Sequence, residues 1–244
     1  MWKKKNEKMI NITLMAFAVW FIALVAYNII TFSLDDEATP TADTQDIEEL
    51  GENAETWEVE VSLVNEIREN NHIKGEEDTQ LTWIEYSDID CPFCQQQSRD
   101  WTVDQVIGDY EWQIWYVYQN YPVQSQQSEM WANALQCASE LASDGESFFG
   151  FKNWIYALEN ITNRTRWEDV AEENNIDVDE LNNCIDEERY QDEINDQENT
   201  GRGQFGVTWT PANIIVNNET GEFVLMSGAL PAGEYDDVIE WLSN

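Results

Sequence analysis

Basic side chains are scarce in this chain. Twelve Lys and Arg stand against 49 Asp and Glu, a formal net charge of −37. Phosphate backbones are repelled by such a field, which excludes DNA and RNA as partners. Histidine is scarcer still, with His72 alone. No fixed-period repeat runs through the chain, and there is only one long apolar run, so collagen, solenoid arrays and polytopic membrane proteins are excluded. No Asp-x-Asp-x-Asp-Gly loop marks a dedicated Ca²⁺ site. What is abundant is apolar and aromatic: 42% and 12% of the 244 residues, including 12 Trp. That content buries a core of one sizeable domain and excludes global disorder.

The apolar run lies at the N-terminus. Lys3, Lys4, Lys5 and Lys8 precede the uncharged stretch from Met9 to Leu34, 26 residues long. This exceeds the roughly 20 residues needed to cross a hydrocarbon core. No small-x-small cleavage site follows it, so the pattern reads as a retained signal anchor rather than a cleaved signal peptide. The lysines place residues 1–8 in the cytoplasm as a basic tail, residues 9–34 in the plasma membrane as a single span, and the bulk of the chain on the extracytoplasmic side. Beyond Leu34 the chain carries 8 basic and 48 acidic residues. An acidic surface of this kind is expected of salt-adapted proteins, in which ions screen the repulsion. A surface for cations or a basic partner is the alternative. Residues 35–56, acidic and poor in apolar side chains, read as a flexible tether. Compact patterning starts near Trp57 and defines a domain over residues 57–244.

The four cysteines are Cys91, Cys94, Cys137 and Cys184, which allow three pairings. Cys91-Pro92-Phe93-Cys94 is a C-x-x-C, suited to half of a zinc site or to a redox pair. Zinc needs further ligands, and the isolated Cys137, Cys184 and His72 form no second pair. The redox reading has local support. Leu81–Ser87 is β-prone, and Pro92 suits the first position of a helix. Cys91 then caps that helix, whose free N–H groups and dipole favour a thiolate. The helical pattern runs on to Val103. Cys91 is expected to be the exposed nucleophile, with Cys94 one turn further in.

The segment Ile84 to Cys94 resembles the active-site segment of DsbA-like thiol–disulfide oxidoreductases of the thioredoxin superfamily. His72-Ile73-Lys74-Gly75 resembles their lead-in, and Gly206 to Pro211 resembles their cis-proline loop. Strands at Ala212–Val216 and Glu222–Ser227 and a closing helix at Pro231–Leu242 agree with this. So does the stretch between a strand at Gln113–Tyr118 and the one at Ala212, which has helical patterns at Gln126–Ser143 and an aromatic run at Phe148–Leu158. Thr165-Arg166-Trp167-Glu168 reads there as a capping box, and Asp177 opens a weaker helix start. The resemblance implies an α/β thioredoxin-like fold with a helical insertion at about residues 124–203.

The resemblance implies further roles. Cys91 and Cys94 exchange disulfides without a cofactor. Glu85 is a buried acid that handles the Cys94 proton, and Thr210-Pro211 faces the disulfide and pairs with an extended substrate. Pro92 and Phe93 tune the redox poise. Phe93 brings neither the charge nor the hydrogen bonds of a histidine, and Asp88 and Asp90 lie close in sequence. Together these predict a Cys91 pKa above the value of about 3.5 in DsbA itself. Cys137 and Cys184, both in the insertion, are expected to pair in an oxidising compartment. Trp112, Trp115, Tyr116, Tyr118 and Tyr121 read as core. The implied activity is disulfide introduction into exported proteins, with a membrane partner that recycles the active pair. A reductase or isomerase of the same fold, or a non-catalytic binding or chaperone module, is the competing reading. If the acidic composition is salt adaptation, the melting temperature rises between low and molar salt. A melting temperature that falls with salt contradicts this reading.

Overall fold

The computed structural model describes residues 55–76, 78–157 and 164–244. The expected basic tail, membrane span and most of the tether lie outside these residues. Among the described residues no helix is long and apolar enough to cross a membrane.

A six-stranded mixed sheet organises the chain. Its strands are β1 (Glu55–Glu58), β2 (Ile73–Lys74), β3 (Leu81–Ser87), β4 (Ile114–Asn120), β5 (Ala212–Asn217) and β6 (Glu222–Ser227), in the order β1-β6-β5-β3-β4-β2. β3 runs parallel to β4 and antiparallel to β5, and the other pairings are antiparallel. The tether expectation therefore ends early, because Glu55 and Thr56 already pair with Leu225 and Val224. The strand expected at Gln113–Tyr118 is displaced to Ile114–Asn120 by its pairing with all of β3.

Helices cover both faces of the sheet, which is why β3 and β4 are buried along their full length despite Thr82, Glu85, Gln119 and Asn120. On one face, Ile84, Tyr86, Val117 and Ile214 pack with Val64 and Ile67 of α1 (Val61–Glu69) and with Phe205. On the other, Trp83, Tyr116, Tyr118 and Ile215 pack with α2 (Pro92–Arg99), α3 (Thr102–Asp109) and α9 (Asp236–Leu242), the last entered through a short 3-10 turn at Ala232–Tyr235.

The helix expected to continue from Pro92 to Val103 is broken. Trp101 takes the left-handed conformation, φ 55°, and a new helix starts at Thr102. The break turns Val103, Val106 and Ile107 into the core and leaves the Trp101 ring outside. A left-handed non-glycine residue costs free energy, and here the burial of three branched side chains offsets it.

Between β4 and β5 lie α4 (Gln126–Leu141), α5 (Gly145–Ala157), α6 (Arg164–Glu173), α7 (Val178–Asp186) and α8 (Gln191–Gln204). Ser125 opens α4 with a capping box shared with Ser128. Asp177 caps α7, its carboxylate accepting from the Glu180 N–H at 2.9 Å. Thr165 does not cap α6, because that helix already begins at Arg164. Trp112 is not core: it is 74% exposed, at the turn before β4, whereas Trp115, Tyr116, Tyr118 and Tyr121 are buried.

Cys137 of α4 and Cys184 of α7 are bonded, 47 residues apart in sequence, with Cα atoms 5.9 Å apart. Closing such a loop stabilises a fold by roughly 4 kcal/mol at most through the unfolded chain. Replacing both cysteines with alanine should lower unfolding free energy in urea by about 2–4 kcal/mol, and an unchanged midpoint and slope would contradict that.

Candidate active site

The site forms where the C-terminal end of β3 turns into α2. Asp88, just past the strand, is buried, and its two oxygens accept from the N–H groups of Asp90 (2.9 Å), Val123 (2.9 Å) and Gln124 (2.8 Å). It therefore fastens the loop after β3 to the loop after β4. Burial raises its pKa against the pull of these donors.

Cys91 is the N-cap of α2, with Pro92 at the first helical position. Proline fits there because its missing N–H would have no partner in the helix. The peptide between Thr210 and Pro211 is cis, and the Thr210 carbonyl oxygen accepts from Cys91 Sγ at 3.2 Å. That loop lies over the sulfur, so Cys91 is 1% exposed, not the open nucleophile expected. Phe93, 61% exposed and two residues after Cys91, and Trp209, also exposed and just before Thr210, are large apolar side chains that meet solvent.

Cys91 and Cys94 are both free thiols. Their protonation is split by position. The Cys91 pKa is lowered to about 6 from an ordinary 9.0, first by the hydrogen bond from the Cys94 thiol and then against the cost of burial. The Thr210 side chain lowers it further. Its hydroxyl is buried with no other hydrogen-bond partner and is placed to donate once the sulfur ionises. The Phe93 and Cys94 N–H groups at the helix tip add to this, although neither closes a capping hydrogen bond. Cys94 moves the other way: burial pushes it well above the ordinary thiol range, and the Cys91 charge adds to the rise. One sulfur is a nucleophile near neutral pH and its neighbour stays protonated, the division that thiol–disulfide exchange uses.

Glu85 is buried two residues before the end of β3 and accepts from Tyr116 Oη at 2.9 Å. It does not point to solvent. The contacts of four further residues gave little signal in the sequence. Ser87 and Asp88 belong to the local segment that leads into Cys91, where the pattern shows their place but not their bonds, whereas Lys152 and Tyr156 come from the inserted helix α5 through tertiary packing. Among the described residues no group of His, Cys, Asp and Glu side chains could hold a metal ion.

A family profile described as thioredoxin matches residues 68–223. This chain belongs to the thioredoxin family. Its fold is that of the DsbA-type structures within it. BdbD from Bacillus subtilis superposes with a TM-score of 0.61 at 17% identity, covering 72% of this chain and 95% of that one. Wolbachia pipientis alpha-DsbA1 gives 0.60 at 20% identity, covering 71% and 90%. Pseudomonas aeruginosa DsbA2 gives 0.58 at 22% identity, covering 70% and 94%. Separately, 56 residues, 23% of this chain, are 32% identical to part of the Na(+)/H(+) antiporter NhaA 1 of Mycolicibacterium gilvum, and the match spans 9% of that protein.

The Cys91 shift links redox state to stability. The folded pKa lies below the ordinary 9.0, so between about pH 6 and 9 the reduced protein binds fewer protons than its unfolded chain. The reduced form should therefore gain stability over the oxidised form as pH rises through that window, and lose the gain as pH falls through about 6. Above the ordinary thiol range the raised Cys94 opposes it. Parallel melts of both forms across this range check the sign; a pH-independent difference would contradict it.

Proposed function

We propose that this chain is a membrane-anchored, extracytoplasmic thiol–disulfide oxidoreductase that introduces disulfide bonds into exported proteins. The observation that carries the reading is a pair of neighbouring free thiols at the tip of α2, with Cys91 as N-cap 3.2 Å from the Thr210 carbonyl oxygen and Cys94 buried behind it, so that the Cys91 pKa is lowered and that of Cys94 raised. A stabilised Cys91 thiolate favours the reduced enzyme, which makes the oxidised enzyme an electron acceptor.

A substrate thiolate attacks Cys91 Sγ of the Cys91–Cys94 disulfide. The S–S bond breaks, and Cys94 leaves and takes up a proton, the step in which the resemblance implies a role for the buried Glu85. A second substrate thiolate then attacks the mixed disulfide at the substrate sulfur, and Cys91 leaves as a thiolate. The substrate is oxidised by two electrons and the enzyme is reduced by two, so a membrane redox partner has to recycle it. Thr210-Pro211 and the exposed Phe93 and Trp209 offer an extended peptide a main-chain edge and apolar contacts. The N-terminal lysines and the stretch Met9–Leu34 support anchoring in a bilayer.

One observation favours a second reading, the reductase or isomerase. A Cys91 pKa of about 6 is nearer the thioredoxin value of about 7 than the DsbA value of about 3.5. Redox titration separates the two: a potential toward about −120 mV fits the oxidase and one toward about −270 mV the reductant. In cells, Cys94→Ala should accumulate mixed disulfides between Cys91 and exported proteins, and the further change Cys91→Ser should abolish them. Recovery of no disulfide-linked clients would contradict the exchange reading.

A further inference from the structure

Cys94 has a problem that Cys91 does not. To close the disulfide it must lose its proton inside the protein, where a bare sulfide charge is costly. A chain of hydroxyl groups ends at its sulfur. The Ser87 side chain pulls the Cys94 pKa down against the burial that raises it. Tyr156 Oη donates to Ser87 Oγ at 3.0 Å, which leaves the Ser87 proton free to point at sulfur. Tyr118 Oη lies 3.2 Å behind Tyr156 Oη and within 3.4 Å of the Ser87 carbonyl oxygen, the two acceptors open to its proton. Ser87 ends β3 and Tyr118 sits on β4, but Tyr156 is delivered by α5, from the helical insertion. Burial holds both phenols well above their ordinary range, so they remain donors throughout the working pH range.

One turn before Tyr156, Lys152 is only 4% exposed. Its ammonium lies 5.0, 5.3 and 5.8 Å from the ring centres of Tyr156, Tyr118 and Tyr116. Among the described residues no acceptor hydrogen-bonds to it. It lines a small cavity with Glu85, Lys74 and Asp104, the last two an ion pair nearer the surface. Burial pulls its pKa down. The negative charges of Glu85 on β3, Asp104 on α3 and an ionised Cys94 on α2 pull it up, and Lys74 on β2 pulls it down. A buried cation that no acceptor hydrogen-bonds is costly even with the Glu85 charge in the same cavity, and the charge that Cys94 acquires during turnover would lessen that cost.

We propose that Ser87, Tyr156 and Tyr118 form an oriented donor chain which, with Lys152 as buried counter-charge, stabilises the Cys94 thiolate while it displaces a partner sulfur from Cys91. This rests on the exchange reading given above. In the step, a partner sulfur is bonded to Cys91 Sγ. Cys94 gives its proton to Glu85, and its lone pair forms the bond to Cys91 Sγ. The bond between Cys91 and the partner sulfur breaks, and the electron pair leaves with the partner, which takes a proton from water. The enzyme dithiol is oxidised and the partner sulfur reduced. Ser87 is the member that acts on the Cys94 sulfur, whereas Tyr156, Tyr118 and Lys152 are positioning residues acting through it or through the field.

The test uses the full chain carrying glutathione on Cys91 as a mixed disulfide, and measures glutathione release against pH. Tyr156→Phe keeps the ring and removes the donor, and Lys152→Met keeps the bulk and removes the charge. Each should slow release by about tenfold at neutral pH and move the pH–rate midpoint toward alkaline by about one pH unit. A purely structural role would change the melting temperature without moving that midpoint. Parental release rates and midpoint in both variants overturn the donor chain. If the parent chain forms no mixed disulfide with glutathione at Cys91, it is the exchange reading that fails.

Discussion

Everything at this site depends on one sulfur held at the tip of a helix with a protonated sulfur behind it. Cys91 receives a hydrogen bond from the Cys94 thiol and lies against Thr210. Neither contact survives without the other elements. The cysteines need α2 fixed at its first turn, and Thr210 must come from a segment about 120 residues later in the chain. The central strand satisfies both needs. β3 delivers Cys91 from its C-terminal end, while its antiparallel neighbour β5 starts directly after Pro211. Opposite strand directions thus bring the start of one element to the end of the other.

The inserted helices do more than extend the domain. A small sheet with one helix layer could hold Cys91, but the inner side of Cys94 would then face solvent or aliphatic packing. Here α5 closes that side with Phe148, Phe149 and Phe151 and also brings Lys152 and Tyr156. Its buried face therefore carries a charge and a hydroxyl, and these face the polar residues of β3. The bond between Cys137 and Cys184 ties α4 to α7 beside it, which limits the drift of the insertion away from the sheet.

Much of this was legible because the signals are local. Pro92 after Cys91 marks a helix start by its missing N–H, and the run Leu81–Ser87 is too rich in branched and aromatic side chains to be a loop. Thr210-Pro211 before an apolar run marks the second half of the site. What was not legible depends on contacts between distant segments. The left-handed Trp101 splits a pattern that reads as one helix, because burying Val103, Val106 and Ile107 outweighs a local preference. Trp112 reads as core by type, yet it falls in the turn before β4. Thr210-Pro211 was expected to face Cys91, but that it lies close enough to bury the sulfur follows from tertiary packing. Lys152 is buried because its helix packs against the sheet on the side where it lies, and an aromatic run cannot announce which side that is.

The division of labour between the two thiols is the central claim, and thiolate absorbance of the reduced protein measures it most directly. Titrated from acid to alkali, the protein should show one ionisation with a midpoint near 6. That ionisation should vanish in Cys91→Ser, and in Cys94→Ala it should remain but move toward alkaline, because the thiol that holds it down is gone. A first ionisation near the ordinary 9.0, or one left unchanged in Cys91→Ser, would contradict the account.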